Sequence, residues 1–238
     1  MVAYAAALRI AQFNTRNEFT DWDVALHTFT FANAVHHCVR RISGSKRMES
    51  QLQSHVNYQQ FEMTRGLFDA AMRVYLNRFL NIPPAPIHNL NHNLVDDSNI
   101  ERLYVAEEKL STLLDKQQQV DAAGQLVADF YGRLLAGNSI NINHEFQLEQ
   151  FMNFIGKLLL REDRSFHLIQ MIEAALKQCS TVSSESSSSS VDEHVINKEY
   201  HFVLAAVRYL AAHSPTMRSQ THTYQTALQL SLGQNLFE

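Results

Sequence analysis

Apolar side chains recur at steps of three and four residues along most of the chain, and this rhythm restricts its possible folds more than any other feature. Residues at that spacing share one face of an α-helix, whereas a strand places alternate residues on one side. The chain contains only seven Gly and four Pro, although a β-rich fold needs many tight turns. We therefore predict an all-α fold, in which residues 1–238 form a single-domain bundle of six to eight mostly antiparallel helices.

Capping and breaking residues indicate where the predicted helices begin and end. Asp21 offers an N-cap, Gly44 follows a helix end, and Pro83 begins a proline-rich stop. Ser98 and Glu101 have the spacing of a capping box. The predicted helices cover about residues 2–13, 21–42, 46–81, 98–136, 144–179, 192–213 and 215–233. The fourth of these regions is compatible with one helix or with two.

The apolar pattern also bears on assembly and on loops. Helices 46–81 and 144–179 carry apolar residues on more than one side, which indicates a multi-layer bundle or an oligomer that buries the surplus face. We expect a homodimer. The serine-rich segment at about 180–193 cannot bury apolar surface, so we expect a flexible surface loop there.

Charge and cysteine content exclude several classes of protein. The 24 acidic and 20 basic residues give a net charge of −4, and their interspersed signs argue against nucleic-acid binding. Cys38 and Cys179 are too few for a disulfide framework and lack CxxC spacing, so we predict a cytoplasmic protein. We find no apolar run of about 18 residues that could span a membrane. Glycine-rich nucleotide-binding motifs and the GxSxG motif of hydrolases are also missing from the sequence.

Twelve histidines are a high number for this length and raise the question of a metal site. His27 and His37 lie on the predicted helix 21–42, and neutral imidazole is a common ligand of zinc, copper and iron. We consider both as candidate metal ligands, with hydrogen-bonded structural histidines as the alternative. The pattern identifies no particular cofactor.

The segment around residue 162 contains the polar residues that fit the helical pattern least. Glu162 continues an apolar stripe, where a carboxylate is costly unless it is paired. Asp163 and His167 are four residues apart, so on one helix they would share a face and form a pair suited to acid–base chemistry or a metal. We predict a polar site made from Glu162, Asp163 and His167. The alternative is a junction between two helices that carries a surface cluster of ion pairs.

Arg208 and His213 have a spacing that resembles the motif of HEPN-type ribonucleases, which are all-α proteins. In that family the arginine holds the phosphate and the histidine moves the proton of the ribose 2′-hydroxyl. The resemblance implies a ribonuclease site at the end of the predicted helix 192–213. Arg161 and His167 have a similar spacing, and chance alone produces about this number of Arg–His pairs in a chain of this composition.

Three hypotheses about function follow from these patterns. The first is a helical interaction or scaffold protein that binds a protein partner, or a second copy of itself, through one face. The second is a helical-bundle enzyme or ligand-binding protein with a buried carboxylate–histidine site, with or without a metal. The third is a HEPN-like ribonuclease. We favour the first, because no catalytic pattern in the sequence exceeds its chance frequency.

Overall fold

The computed structural model describes residues 1–45, 53–90, 99–136, 143–163, 165–185, 193–216 and 220–234. Within these ranges the regular structure consists of nine α-helices and one short 3-10 turn, without any strand. The helices are α1 (Val2–Ala11), α2 (Phe19–Ser45), α3 (Gln53–Leu76), α4 (Asn99–Leu114), α5 (Val120–Ala136), α6 (Asn143–Arg161), α7 (Phe166–Glu185), α8 (Glu193–His213) and α9 (Gln220–Ser231). The prediction of an all-α, multi-helix bundle is confirmed. None of these helices combines the length and the hydropathy needed to cross a bilayer.

Two regions that are compatible with single helices each contain two. The number of helices in the described ranges is therefore nine, above the predicted six to eight. Residues 98–136 contain α4 and α5, and the connection between them includes Gln118 in the left-handed region with a φ of 62°. The prediction of one helix over 144–179 was wrong, because α6 ends at Arg161 and α7 begins at Phe166.

The end of α7 lies inside the serine-rich segment that we expected to be a loop from about residue 180. The helix continues to Glu185, and residues 186–192 lie outside the described ranges. Two serine hydroxyls donate to carbonyl groups of the preceding turn, Ser183 to Cys179 at 3.0 Å and Ser184 to Thr181 at 2.8 Å. Such local hydrogen bonds allow serine to occupy the last turn of a helix.

The helix α8 lies at the centre of the bundle. It packs against α7, α5 and α1, and every residue over 202–211 is buried. One continuous apolar cluster joins α8 to α1, α2, α4, α5, α6 and α7. Because α8 is enclosed over this length, its polar side chains must find their partners inside the protein.

The helix α3 packs on α2 with one side. Ala70 is buried, and a Cβ atom at Gly66 would lie 3.7 Å from a methyl group of Val35. Just beyond the helix, Asn77 Nδ2 donates to Thr28 Oγ1 of α2 at 2.6 Å. These contacts fix which side of α3 is turned toward the bundle.

The helix α9 is set apart from the other described helices. It makes no extensive contact with any other described helix, and residues 227–234 are exposed. Gly233 follows the helix with a φ of 68°, which is the conformation that ends many helices and that glycine adopts without strain. The predicted C-terminal stop is therefore in place, at the end of a helix whose last residues are exposed.

Candidate functional site

Three histidines that are far apart in the sequence meet between α2, α7 and α8. The rings of His27 and His167 lie 5.0 Å apart, centre to centre. His167 Nδ1 is 3.6 Å from Oδ1 of Asp23, which precedes His27 by about one helical turn. From α8, the Tyr209 hydroxyl donates to the same Asp23 oxygen at 2.7 Å, and the His213 ring stacks on the Tyr209 ring at 4.1 Å. We call these five residues the histidine junction.

The histidine junction has a buried side and an open side. Burial lowers the pKa of His213, and Nε2 of this ring is buried without a hydrogen-bond partner among the described residues. Burial and the Asp23 carboxylate raise the pKa of Tyr209, so its hydroxyl remains the donor. On the open side, the side chains of Asp23 and His167 are 30% and 38% exposed. A solvent-accessible carboxylate–histidine pair has the composition of an acid–base or ligand-binding site.

Glu162 and Asp163 lie elsewhere, at the break between α6 and α7. Glu162 is buried, and its Oε2 accepts hydrogen bonds from the backbone N–H and the hydroxyl of Thr216, at 2.8 and 2.9 Å. Its Oε1 accepts a bond from Arg161 Nε at 3.2 Å. The backbone N–H of Asp163 donates to the Thr216 hydroxyl. These bonds tie the α6–α7 connection to the segment after α8, so the contacts of Glu162 are structural.

The structure separates Asp163 from His167, which we expected to share one helix face. That expectation required a continuous helix through both residues, but the helix is interrupted between Arg161 and Phe166. His167 lies beside Asp23 of α2 instead. The helix break agrees with the junction between two helices that the sequence offers as the alternative, but Glu162 is buried and not part of a surface cluster of ion pairs.

The structure also separates Arg208 from His213. Arg208 is fully buried, and it donates from Nη1 to Asp121 of α5 at 2.7 Å and from Nη2 to the Phe13 carbonyl at 2.9 Å. Five residues along a helix correspond to about 140° of rotation, and His213 contributes to the histidine junction instead. The guanidinium of Arg208 is occupied by these buried contacts, and Arg208 and His213 therefore contribute to different sets of interactions.

His27 and His37, our candidate metal ligands, do not form a common site. They are ten residues apart on α2, which corresponds to about 15 Å along the helix axis. His27 contacts His167, whereas the His37 ring lies 5.6 Å from the His36 ring. Burial and the charge of Lys177 lower the pKa of His37. Within the described ranges, no three His, Cys, Asp or Glu side chains are grouped closely enough to hold a metal ion.

A second surface of interest is an uncovered apolar row on α3 and the turn that follows it. Phe68, Met72, Tyr75 and Phe79 follow each other at steps of four, three and four residues, and each is between 56% and 71% exposed. The Arg78 guanidinium lies over the rings of Tyr75 and Phe79, at 3.4 and 3.8 Å from their centres. We call these five residues the α3 stripe. The sequence predicts apolar residues on more than one side of this helix, with a multi-layer bundle or an oligomer to bury the surplus face, and in the single chain the α3 stripe is exposed.

The sequence pointed to three residues of the histidine junction and missed two. Asp23 and His27 have the same four-residue spacing that drew attention to Asp163 and His167, so this signal was present but unused. Tyr209 carries no comparable signal, because its partner Asp23 lies 186 positions away in the chain.

No known family model matches the chain, and no similar curated protein or solved structure was found at a significant level.

Proposed function

We propose that this protein is a helical interaction protein that binds a protein partner through the α3 stripe. The observation that carries the proposal is the exposure of four large apolar side chains in one row, on a helix whose other side is packed. Single exposed apolar residues are common, whereas a contiguous apolar surface usually marks a contact with another molecule. Of the eighteen large apolar residues found exposed in the described ranges, seven lie between Leu67 and Ile82, so the surface is concentrated on one element.

The composition and the spacing of the α3 stripe indicate what kind of surface it fits. Aromatic residues, Met and Arg are enriched at the centres of protein interfaces, and the stripe contains these types alone. Steps of four, three and four residues are typical of the seam between two packed helices. The partner surface is therefore expected to include a helix with an apolar row of its own.

A photo-reactive phenylalanine analogue at Phe68 tests the proposal in cells. We expect it to form covalent adducts with a protein partner, because the α3 stripe is covered when the partner is bound. Phe146 on α6 is the matched control position, since it is an exposed phenylalanine (57%, against 71% for Phe68) outside the stripe. The Met72→Glu variant should reduce the adduct yield about tenfold or more, because the contact would then bury an unpaired carboxylate.

Two results would contradict the interaction proposal. One is the same pattern of adducts from Phe68 and from Phe146, which would indicate random collisions. The other is an unchanged yield in the Met72→Glu variant, which would show that the contact does not involve the apolar row.

A second candidate function, a ligand-binding or acid–base site, is supported by the histidine junction. The observation that favours it is the meeting of His27, His167 and His213 around Asp23, with the pair of Asp23 and His167 partly open to solvent. This pair has the composition of the carboxylate–histidine site that we proposed from the sequence, with Asp23 in the place of Asp163. Its substrate or ligand would be a small polar molecule able to hydrogen-bond with an imidazole and a carboxylate.

A ligand-detected NMR screen of a mixture of polar metabolites tests this second candidate. We expect at least one compound to bind the wild-type protein and to lose binding in the Asp23→Asn/His167→Gln double variant. The melting temperature of the double variant must be measured alongside, so that loss of binding is not confused with unfolding. Equal binding to both proteins, or binding of no compound, would leave the histidine junction as a structural feature only.

A further inference from the structure

We infer that the partner of the α3 stripe is α9 of a second copy of this chain, so that the protein forms a dimer by exchanging this helix. The inference rests on the proposed function and adds the identity of the partner. Two independent observations support it. Among the described residues, the α3 stripe is an exposed apolar row, and α9 makes no extensive contact with another helix.

The helix α9 is so short that it needs packing contacts to be stable. It contains twelve residues, and isolated helices shorter than about 12–15 residues are only marginally stable in water. Within the described part of the chain α9 makes no extensive contact with another helix. Leu228 and Leu230 of α9 are 46% and 59% exposed, and Leu232 in the turn after it is 65% exposed. Packing against another molecule supplies the missing stabilisation, since tertiary contacts provide most of the stability of helices in proteins.

The described helix α9 carries no charged residue. None of its twelve residues is Asp, Glu, Lys or Arg, whereas helices on a protein surface normally carry charged residues on their outer side. Charged residues are depleted at the centres of interfaces. Docking α9 on the α3 stripe therefore brings no new charge to the contact, and the stripe's one charged group, Arg78, already stacks on two rings.

The two elements also match in length. From Phe68 to Phe79 the stripe extends about 16 Å, and α9 is about 18 Å long, at a rise of about 1.5 Å per residue. Leu228 in the last turn of α9 and Leu232 in the turn that follows are four residues apart, which is a spacing that packed helices use. Because each copy offers one stripe and one α9, a reciprocal exchange covers both and the assembly closes at two chains.

Sedimentation equilibrium of the full chain tests whether the dimer forms and whether it uses these residues. We expect the wild type to dimerise, and the Met72→Glu and Leu228→Glu variants to raise the dissociation constant about tenfold or more. Leu160→Glu is the matched control, because Leu160 is an exposed leucine (54%) on α6, outside both elements. This control should dimerise like the wild type.

Cross-linking between isotopically distinct chains tests whether α9 is exchanged. Chains labelled with light and with heavy nitrogen are mixed, each carrying a photo-reactive group at Leu228. We expect cross-linked peptide pairs that join a light α9 to a heavy α3, and the reverse. Cross-links that always join peptides of the same label would show that α9 docks within its own chain and would overturn the inference.

Different results would contradict the exchange of α9 and the interaction function. A wild-type protein that stays monomeric, or a dimer that Leu228→Glu leaves intact, would overturn the exchange of α9. If the analogue at Phe68 then still forms adducts with another protein in cells, the interaction function stands with a different partner. If Phe68 forms no specific adducts either, both are wrong.

Discussion

Replacement of Arg208 by alanine is expected to lower the free energy of unfolding by about 3–5 kcal/mol. Arg208 is the largest of the fully buried side chains in the described ranges, and alanine leaves a cavity at the centre of the bundle. The substitution also removes the donor to the Phe13 carbonyl and the cation beside Asp121. Asp121 is 64% exposed and can be hydrated. Most of the loss therefore comes from the cavity and from the unpaired carbonyl group.

Urea unfolding followed by circular dichroism measures this loss, and Arg208→Met is the matched control. Methionine fills much of the same volume without a charge, so we expect it to cost only about 1–2 kcal/mol, mainly because the Phe13 carbonyl loses its donor. If Arg208→Met destabilises the protein as strongly as Arg208→Ala, the cavity explanation is wrong and the buried charge itself holds α8 in place. A loss below about 1 kcal/mol for both variants would contradict the full burial of this side chain.

The second large effect is expected for Glu162→Ala, which should lower the free energy of unfolding by about 3 kcal/mol. The side chain of Glu162 is fully buried, and its carboxylate accepts bonds from Thr216 and from Arg161. Alanine leaves the Thr216 N–H without its acceptor. Because these bonds join the α6–α7 connection to the segment after α8, we also expect faster hydrogen exchange of the Thr216 amide.

The matched control for this prediction is Glu173→Ala on α7. Glu173 forms an ion pair with Lys177 at 2.6 Å, and the two side chains are 53% and 52% exposed. Exposed ion pairs contribute about 0–1 kcal/mol, so this variant should unfold nearly like the wild type. Similar losses for Glu162→Ala and Glu173→Ala would contradict the structural role of the buried carboxylate. An intact free energy of unfolding with loss of a ligand would instead place Glu162 in a binding site.

The ends of several helices were predictable because the signals for them are local. The end of α8 before the Ser-Pro pair and the glycine after α9 follow from residues within one turn of the helix end. The sequence did not decide between a continuous helix and a break between α6 and α7, because the apolar spacing continues through this region. What stabilises the break is the bond between Glu162 and Thr216, which are 54 positions apart.

The candidate sites were predictable only in part, for the same physical reason. His27, His167 and His213 could be singled out as polar residues on predicted helices, but their meeting depends on how α2, α7 and α8 pack. Asp163 does not pair with His167, because the helix expected to carry both residues is interrupted between Arg161 and Phe166. Arg208 and His213 matched a spacing pattern, yet they lie on different sides of α8 and therefore have different neighbours.

The amino-acid sequence by itself determined that this chain forms helices and approximately where most of them begin and end. Those properties depend on periodicity and on capping groups within a few residues. Only the tertiary structure decided which apolar rows are covered and which polar groups meet. The row from Phe68 to Phe79 has the helical spacing of a buried row, and it is exposed because burial depends on which distant segment lies against a helix.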